Sequence, residues 1–552
     1  MKLVVIGAVA AGTSAAAIAR RNREDMEITI YEKDRFISYS GCGMPYFLGG
    51  EIQDIKALLP RDPAYFKNKH NIDILTLHEV LAIHPENKTL EVINLVTEEI
   101  FIDSYDKLVI ATGARPNVPP IKGLDSDNVF FLRNINDMEK IHNYIIEKKV
   151  KNAVIIGTGL IGLETADNLC LRDIKITLVE KMPHIFPAID GDMAKYIEKA
   201  LLENDIHFIT GQAVEEIRAG DVILSDGTIL PTDMVVVSAG VHPETKIAAA
   251  AGIELGTTGA IKVNKKMQTN IPDIYACGDC IEQYHLITKK PVFYPMGSTA
   301  NKTGRIAGDN LSGGNVEFRG VLGTSIMQLF DMTIAQTGLT EKEALQQGYD
   351  ITIIHNKKTN KPLYMGGREM MIKAIADNKD GRVLGVQIVG YEGVDKRIDV
   401  FVTAITFGTL AEDLFHLDLA YSPAYSNAKD PVMYTGMVLE NAMIKSRPLI
   451  TPEELENIQQ SKEDHILIDA RETDEFAAKH IDSSHSIPLP HLREVCEELN
   501  KDRTTIVYCN KGITANAAQN LLLNKGFEKV FNLSGGHEHY CICIPELNSS
   551  RK

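Results

Sequence analysis

Short β-branched apolar runs alternate along this chain with alanine- or leucine-rich stretches of helical period, a pattern that predicts repeated β-α-β units. The run Lys2-Leu3-Val4-Val5-Ile6 reads as a strand buried on both faces. It leads into Gly7-Ala8-Val9-Ala10-Ala11-Gly12 and an alanine-rich helix predicted through about Arg21, and Ile28-Thr29-Ile30-Tyr31-Glu32 is the next strand. A second copy starts at Val154-Ile155-Ile156, turns through Gly157-Thr158-Gly159-Leu160-Ile161-Gly162 and closes on Lys175-Ile176-Thr177-Leu178-Val179-Glu180. Leu108-Val109-Ile110-Ala111-Thr112-Gly113 reads as a strand with a glycine turn where the chain crosses between the two units. Another strand ends in Ala276-Cys277-Gly278-Asp279. Beyond Arg447-Pro448, read as a linker, a new set of short strands begins.

The two glycine turns carry the first chemistry. Glycines after a strand and at the start of a helix permit a tight turn and let a pyrophosphate approach the helix N-terminus. The second turn has all three glycines, Gly157, Gly159 and Gly162; the first has Gly7 and Gly12 with Val9 in the middle place. A carboxylate ends each following strand, Glu32 20 residues past Gly12 and Glu180 18 past Gly162, at the spacing that suits a ribose hydroxyl. Glu180 favours a ribose diol, hence NADH over NADPH, and Lys181 beside it softens that preference.

Composition bounds the answer. The 552 residues suffice for three or four domains, and the net charge of −16 argues against a nucleic-acid partner, which needs a large basic face. No apolar run reaches the roughly 18 residues of a spanning helix, and the N-terminus enters a strand directly, so neither a membrane segment nor a signal peptide is expected. Eight cysteines in such a length do not make a disulfide scaffold, so the cytoplasm is the expected location. Arg20, Arg21 and Arg23 form a local basic cluster able to hold phosphates. No metal site is expected; Cys277 and Cys280 read as packing thiols, and Cys541 and Cys543 as exposed or packing cysteines.

Cys42, in Ser38-Tyr39-Ser40-Gly41-Cys42-Gly43-Met44-Pro45-Tyr46-Phe47, has no second cysteine within a helical turn. It cannot store electrons in an internal dithiol, so its partner sulfur or oxygen must come from outside.

Over roughly residues 1–445 these ordered motifs resemble the two-dinucleotide flavin disulfide reductase family. The resemblance implies FAD in the first nucleotide fold, with Gly7, Gly12, Glu32, Thr112, Gly113 and Asp279 around it. It implies NADH in the second, at Gly157, Gly159, Gly162 and Glu180. Ser38, Cys42 and the Cys-Gly-Met-Pro-Tyr run resemble the coenzyme A-disulfide reductase branch. Cys42 would there open a helix, which lowers a thiol pKa, and form a mixed disulfide with coenzyme A. Arg21 matches an arginine near the coenzyme A nucleotide, with Arg20, Arg23 and Ser38 as further substrate contacts. Tyr364 and Tyr425 match tyrosines that reach the partner subunit's cysteine, which implies a homodimer with active sites completed across the interface. Single-cysteine NADH oxidases and peroxidases are the rival branch; they carry a histidine where this chain has Ala10. A redox-sensing binding protein is a third reading. The coenzyme A branch usually has asparagine before the cysteine, where this chain has Gly41.

Residues 455–552 resemble a rhodanese domain, with Cys509-Asn510-Lys511-Gly512-Ile513-Thr514 as its sulfur-binding loop. Active loops commonly have arginine at the place of Thr514, and Lys511 is the candidate to substitute for its charge. The expected fold is α/β: two Rossmann-like dinucleotide-binding domains, an α+β dimerisation domain and a C-terminal α/β rhodanese domain. The expected boundaries are 1–112 with 245–320 for FAD, 113–244 for NADH, 321–445 for dimerisation, 446–454 as linker and 455–552 for the rhodanese-like domain. The expected reaction is NAD(P)H-dependent reduction of a coenzyme A persulfide, polysulfide or disulfide through Cys42, with Cys509 handling sulfane sulfur.

Overall fold

The structure, a computed structural model, describes residues 1–544; the last residues of the expected C-terminal domain, 545–552, lie outside the described residues. The described residues divide into two units, one comprising residues 1–183 and 205–321, the other 184–204 and 322–544.

The first unit holds both nucleotide folds. Strand Lys2–Ile6 is central in a five-stranded sheet, flanked by Glu27–Glu32 and Lys107–Ile110, with Asp73–Thr76 and Ile274–Ala276 at the edges. All of its pairings are parallel. Val4, Val5, Ile30 and Val109 are fully buried, and each such side chain contributes about 1.5–3 kcal/mol on leaving water. The strand from 274 to 276 returns to this sheet after the intervening domain, as a split FAD domain requires. In the second fold the order is His207–Ile209, Lys175–Val179, Asn152–Ile156, Met234–Val237, Val129–Phe131, again all parallel. A two-stranded ribbon, Ala114–Pro116 against Val241–Pro243, carries the chain out of and back into the first fold. The periodicity placed the strands and helices well because both sheets are covered on both faces, so their strands are apolar without alternation.

The second unit has two sheets. Five antiparallel strands, in the order Ser325–Leu329, Met332–Gly338, Val383–Gly390, Glu369–Asp377, Ile351–Thr359, carry helices Val394–Thr406 and Pro431–Met443. Five parallel strands follow, in the order Leu449–Ile450, Val530–Leu533, Thr504–Tyr508, His465–Asp469, Ser484–Ser486.

Two boundaries differ from expectation. The segment 446–454 is not a free linker: Leu449–Ile450 pairs with Val530–Leu533, and Thr451 caps helix Pro452–Ser461 in a capping box with Glu454. The C-terminal domain therefore begins at Leu449. Helix Gly191–Glu203, expected within the NADH domain, belongs with the second unit. Lys373, 1% exposed on strand Glu369–Asp377, joins this segment to the sheet through ion pairs with Asp190 and Asp192 at 3.1 and 2.9 Å and pairs with Glu341 at 2.7 Å. An ammonium buried this deeply needs such partners, and two of the three come from the 184–204 segment.

Among the described residues no helix is long and apolar enough to cross a membrane.

Candidate functional site

Cys42 lies in a single 3-10 turn, Gly41–Gly43, directly before helix Met44–Gly49. It precedes that short helix and does not open it. Solvent reaches Cys42, yet the atoms crowding its sulfur push the thiol above its ordinary pKa. Burial is the largest cause, followed by the carboxylates of Glu164 and Asp279, with Arg133 opposing. Burial and these carboxylates thus outweigh the lowering expected from the helix N-terminus.

Glu164 and Arg133 escaped the sequence reading. Glu164 stands on helix Leu160–Cys170, two residues past the third glycine of the second turn, and burial with Asp167 nearby raises its carboxyl to about 7. Arg133 precedes the capping box of helix Ile135–Lys148; its Nη2 pairs with Asp279 at 3.0 Å and its Nε donates to the carbonyl of Ala114 at 2.9 Å. An arginine just before an Asn-x-x-Asp helix start gave no signal by itself, because its partner lies 146 residues away.

The two nucleotide turns share one construction. Helices Ala11–Asn22 and Leu160–Cys170 both begin without a side-chain cap, so their first N–H groups remain available to an anion. Gly7 has φ +104°, and a Cβ on Gly12 would lie 1.9 Å from the Gly7 carbonyl oxygen, so helix and strand approach only with glycine there. A Cβ on Gly159 would meet nothing within 4 Å: the middle glycine faces open space, as a pyrophosphate cradle requires. Both carboxylates brace their turns. Glu32 accepts from the Ala8 N–H at 2.7 Å and Glu180 from the Thr158 N–H at 2.9 Å. Burial holds Glu32 above its usual pKa against the Ala8 and Asp34 N–H groups. Added hydroxyl donors, such as a ribose diol, would relieve this. Thr112 donates to the Glu244 carbonyl at 2.6 Å, and Gly113 has φ +74° beside the Arg133 guanidinium. Asp279 follows Gly278, whose N–H donates to Thr303 at 3.0 Å. These residues fit one dinucleotide in each turn.

The arginine cluster separates. Arg20 is 4% exposed and donates to the carbonyls of Glu24, His70 and Asn71, so its expected role as a substrate contact is withdrawn. Arg23 is exposed and pairs with Asp25 at 2.7 Å; Arg21 is exposed. Ser38, at φ +47°, donates its N–H to the Ala8 carbonyl at 2.9 Å.

In the second unit Tyr364 and Tyr425 are 77% and 74% exposed. Buried Arg397 anchors both of their loops: its Nη2 donates to the Asn360 carbonyl at 2.9 Å and to Asp430 at 2.7 Å. Cys509 ends strand Thr504–Tyr508, is 5% exposed and receives the Ala515 N–H at 3.4 Å. Lys511, the expected substitute for the absent arginine, pairs with Glu369, which Lys357 also holds at 2.9 Å. Lys511 is therefore already neutralised. Asp192, His355 and His539 come within 4.8 Å of one another. His355 already bonds Asp192 at 2.8 Å and Ser534 at 3.0 Å, and the Lys373 ammonium reaches both Asp192 oxygens.

Two glycine-turn nucleotide folds sharing one unit with a solitary cysteine beside a Gly-Asp strand end define an FAD- and NAD(H)-binding oxidoreductase. Residues 1–295 match the pyridine nucleotide-disulphide oxidoreductase family, 324–432 its dimerisation domain and 451–543 the rhodanese-like domain. The chain belongs to the pyridine nucleotide-disulphide oxidoreductases. Similar curated proteins include an NADH oxidase of Methanocaldococcus jannaschii, 37% identical over 81% of this chain and 99% of its own length. Another is a coenzyme A disulfide reductase of Staphylococcus haemolyticus, 35% identical over 79% and 98%. Two solved structures extend over the C-terminal domain as well. Reduced CoADR-RHD of Bacillus anthracis has a TM-score of 0.96 at 37% identity, covering 99% of this chain and 98% of that one. An NAD-dependent persulfide reductase from A. fulgidus has a TM-score of 0.91 at 36% identity, covering 98% and 100%.

Proposed function

We propose that this chain is an NAD(P)H-dependent reductase of coenzyme A persulfide, polysulfide or disulfide that works through Cys42 as a homodimer. The observation that carries the reading is the solitary, solvent-reached Cys42 beside Asp279 and Glu164, in a chain that also carries a sulfur-handling fold. The resemblance over almost the full length to a persulfide reductase supports it. When bound, NADH and FAD supply the electron pair that reduces a disulfide at Cys42. Asp279, held by Arg133, and Glu32 would hold the flavin; Glu180 and the turn at Gly157, Gly159 and Gly162 would hold the nicotinamide dinucleotide. Arg21 is the retained candidate for the coenzyme A phosphates.

The Cys42 thiolate attacks the coenzyme A sulfur of a persulfide, CoA–S–SH. A Cys42–S–S–CoA bond forms, the S–SH bond breaks, and hydrosulfide leaves with the electron pair. Two electrons and one proton then return Cys42 to thiolate and release coenzyme A as its thiol. An internal disulfide would compete with this mixed one, so a lone cysteine serves the step. Tyr364 and Tyr425 of one subunit would stand at the partner's Cys42, where a phenol O–H can hydrogen-bond or protonate a leaving thiolate. A reducing compartment such as the cytoplasm suits a chain that works through a reduced thiol at Cys42.

Anaerobic NADH consumption tests the reading. Coenzyme A persulfide should be turned over with release of sulfide, and Cys42→Ser should abolish turnover while the flavin stays bound. The similar archaeal NADH oxidase favours oxygen as a second acceptor. Against it stands Ala10, which offers no imidazole at the first turn. Oxygen-driven NADH consumption faster than that with coenzyme A persulfide would select the oxidase.

A further inference from the structure

Three separate stretches of the chain meet at one cluster of ligating side chains. Asp192 comes from the first turn of helix Gly191–Glu203, His355 from strand Ile351–Thr359, and His539 and Cys543 from helix Gly536–Cys543, all within the second unit. Ligating atoms of Asp192, His355 and His539 lie within 4.8 Å of one another, and the two imidazole rings are 4.3 Å apart between centres. His539 and Cys543 stand one helical turn apart and so share a face of their helix. The Cys543 sulfur is 3.6 Å from the His539 ring nitrogens and 3.8 Å from the Asp192 carbonyl oxygen.

Two observations set this cluster apart from a packed polar junction. The first is how the imidazoles are held. His355 Nδ1 lies 3.0 Å from the Ser534 hydroxyl, and His539 Nδ1 lies 3.0 Å from the Tyr196 hydroxyl. An outer oxygen on Nδ1 is the arrangement that fixes a metal-bound imidazole and leaves Nε2 as the ligand. His355 Nε2 meets Asp192 Oδ2 at 2.8 Å. His539 is fully buried, and the Cys543 sulfur is the only hydrogen-bond partner of its Nε2 among the described residues. The second is charge. Asp190, Asp192 and Glu341 surround a single ammonium, that of Lys373. Three carboxylates against one cation leave an excess of negative charge that a divalent ion would offset. Asp190 and Glu341 remain with Lys373 when Asp192 turns an oxygen to the ion.

We propose that Asp192, His355, His539 and Cys543 form a zinc site that pins helix Gly536–Cys543 to the dimerisation sheet and to the 184–204 segment. A mixed carboxylate, imidazole and thiolate set suits Zn2+ among the divalent ions. Ligand atoms around tetrahedral zinc stand roughly 3.3–3.7 Å apart, inside the 2.8–4.8 Å spread of these side chains. On binding, His355 carries its ring proton on Nδ1 and donates it to Ser534 Oγ. Cys543 ligates as the thiolate, and its proton passes to solvent. The carboxylate and the thiolate then balance the two charges of the ion. Four protein ligands close the shell, so the site is structural and offers no open position to a substrate.

The test uses the full-length protein, stripped of metal with a chelator and dialysed against micromolar zinc. Elemental analysis should find one zinc per chain in the wild type and none in His355→Asn/His539→Asn. Cobalt(II) in place of zinc should give the d–d bands of a tetrahedral site together with a thiolate charge-transfer band. Cys543→Ser should bind cobalt at least about tenfold more weakly and without the charge-transfer band. Far-UV circular dichroism checks that each variant folds, and the nearly isosteric Cys543→Ser carries the test where the double variant does not. A wild type that holds no zinc overturns the proposal. So does a cobalt spectrum without the thiolate band, or one zinc per chain kept by the folded double variant.

Discussion

Glu164 is the side chain that most alters how Cys42 should behave. Its carboxyl, raised to about 7, is neutral in mild acid and charged in mild base, and its charge disfavours the Cys42 thiolate. Glu164→Gln should therefore speed Cys42 alkylation about threefold near pH 8 and leave it unchanged near pH 6, where the wild-type carboxyl is already neutral. Iodoacetamide rates across pH check this, and equal rates at both values would remove Glu164 from the site. At this scale the groups that stand out in the sequence are those marked by their own neighbours: the turn glycines, Glu32 and Glu180 at strand ends, and Cys42 and Cys509 in their loops. It did not disclose Glu164 or Arg133, because each acquires meaning only from a partner far along the chain. Arg20 failed for the converse reason: on the last turn of its helix it looks like a free cation, but that face turns inward onto the carbonyls of His70 and Asn71.

Among the elements, the loops bearing Tyr364 and Tyr425 depend on one guanidinium. Arg397 ties the Asn360 carbonyl, Ser426 and Asp430 together, and both members of the Arg397–Asp430 pair are almost fully buried. Burial alone would raise the Asp430 carboxyl, but Arg397, helped by the Val432 N–H and the Ser426 hydroxyl, holds the group below the usual range. The pair thus stabilises the fold above the ordinary carboxylate pKa and loses that contribution as pH falls through the lowered one. Arg397→Met should cost about 3–5 kcal/mol, since it leaves Asp430 buried without a counter-charge. Urea unfolding at neutral pH checks it; a loss below about 1 kcal/mol would show that the loops hold without it. Long parallel strands were legible here because burial on both faces makes them apolar throughout. Leu449–Ile450 was not: two residues after Arg447-Pro448 carry no periodicity, and only pairing with Val530–Leu533 makes them a strand.

For the whole molecule the question is whether two subunits share each site. If Tyr364 and Tyr425 act on the partner's Cys42, subunits defective in different halves should complement. Mixing Cys42→Ser chains with Tyr364→Phe/Tyr425→Phe chains and allowing exchange should recover activity, toward roughly a quarter of wild-type sites when dimers re-form at random. No recovery after demonstrated exchange would place both tyrosines at their own subunit's site or at none. The most direct test of the central claim is the mass of the Cys42 peptide after one anaerobic exposure to coenzyme A persulfide without NADH. The account predicts a coenzyme A adduct on Cys42, with hydrosulfide released in equal amount and the adduct lost on adding NADH. An unmodified Cys42, or an oxygen adduct formed only when air is admitted, would contradict it.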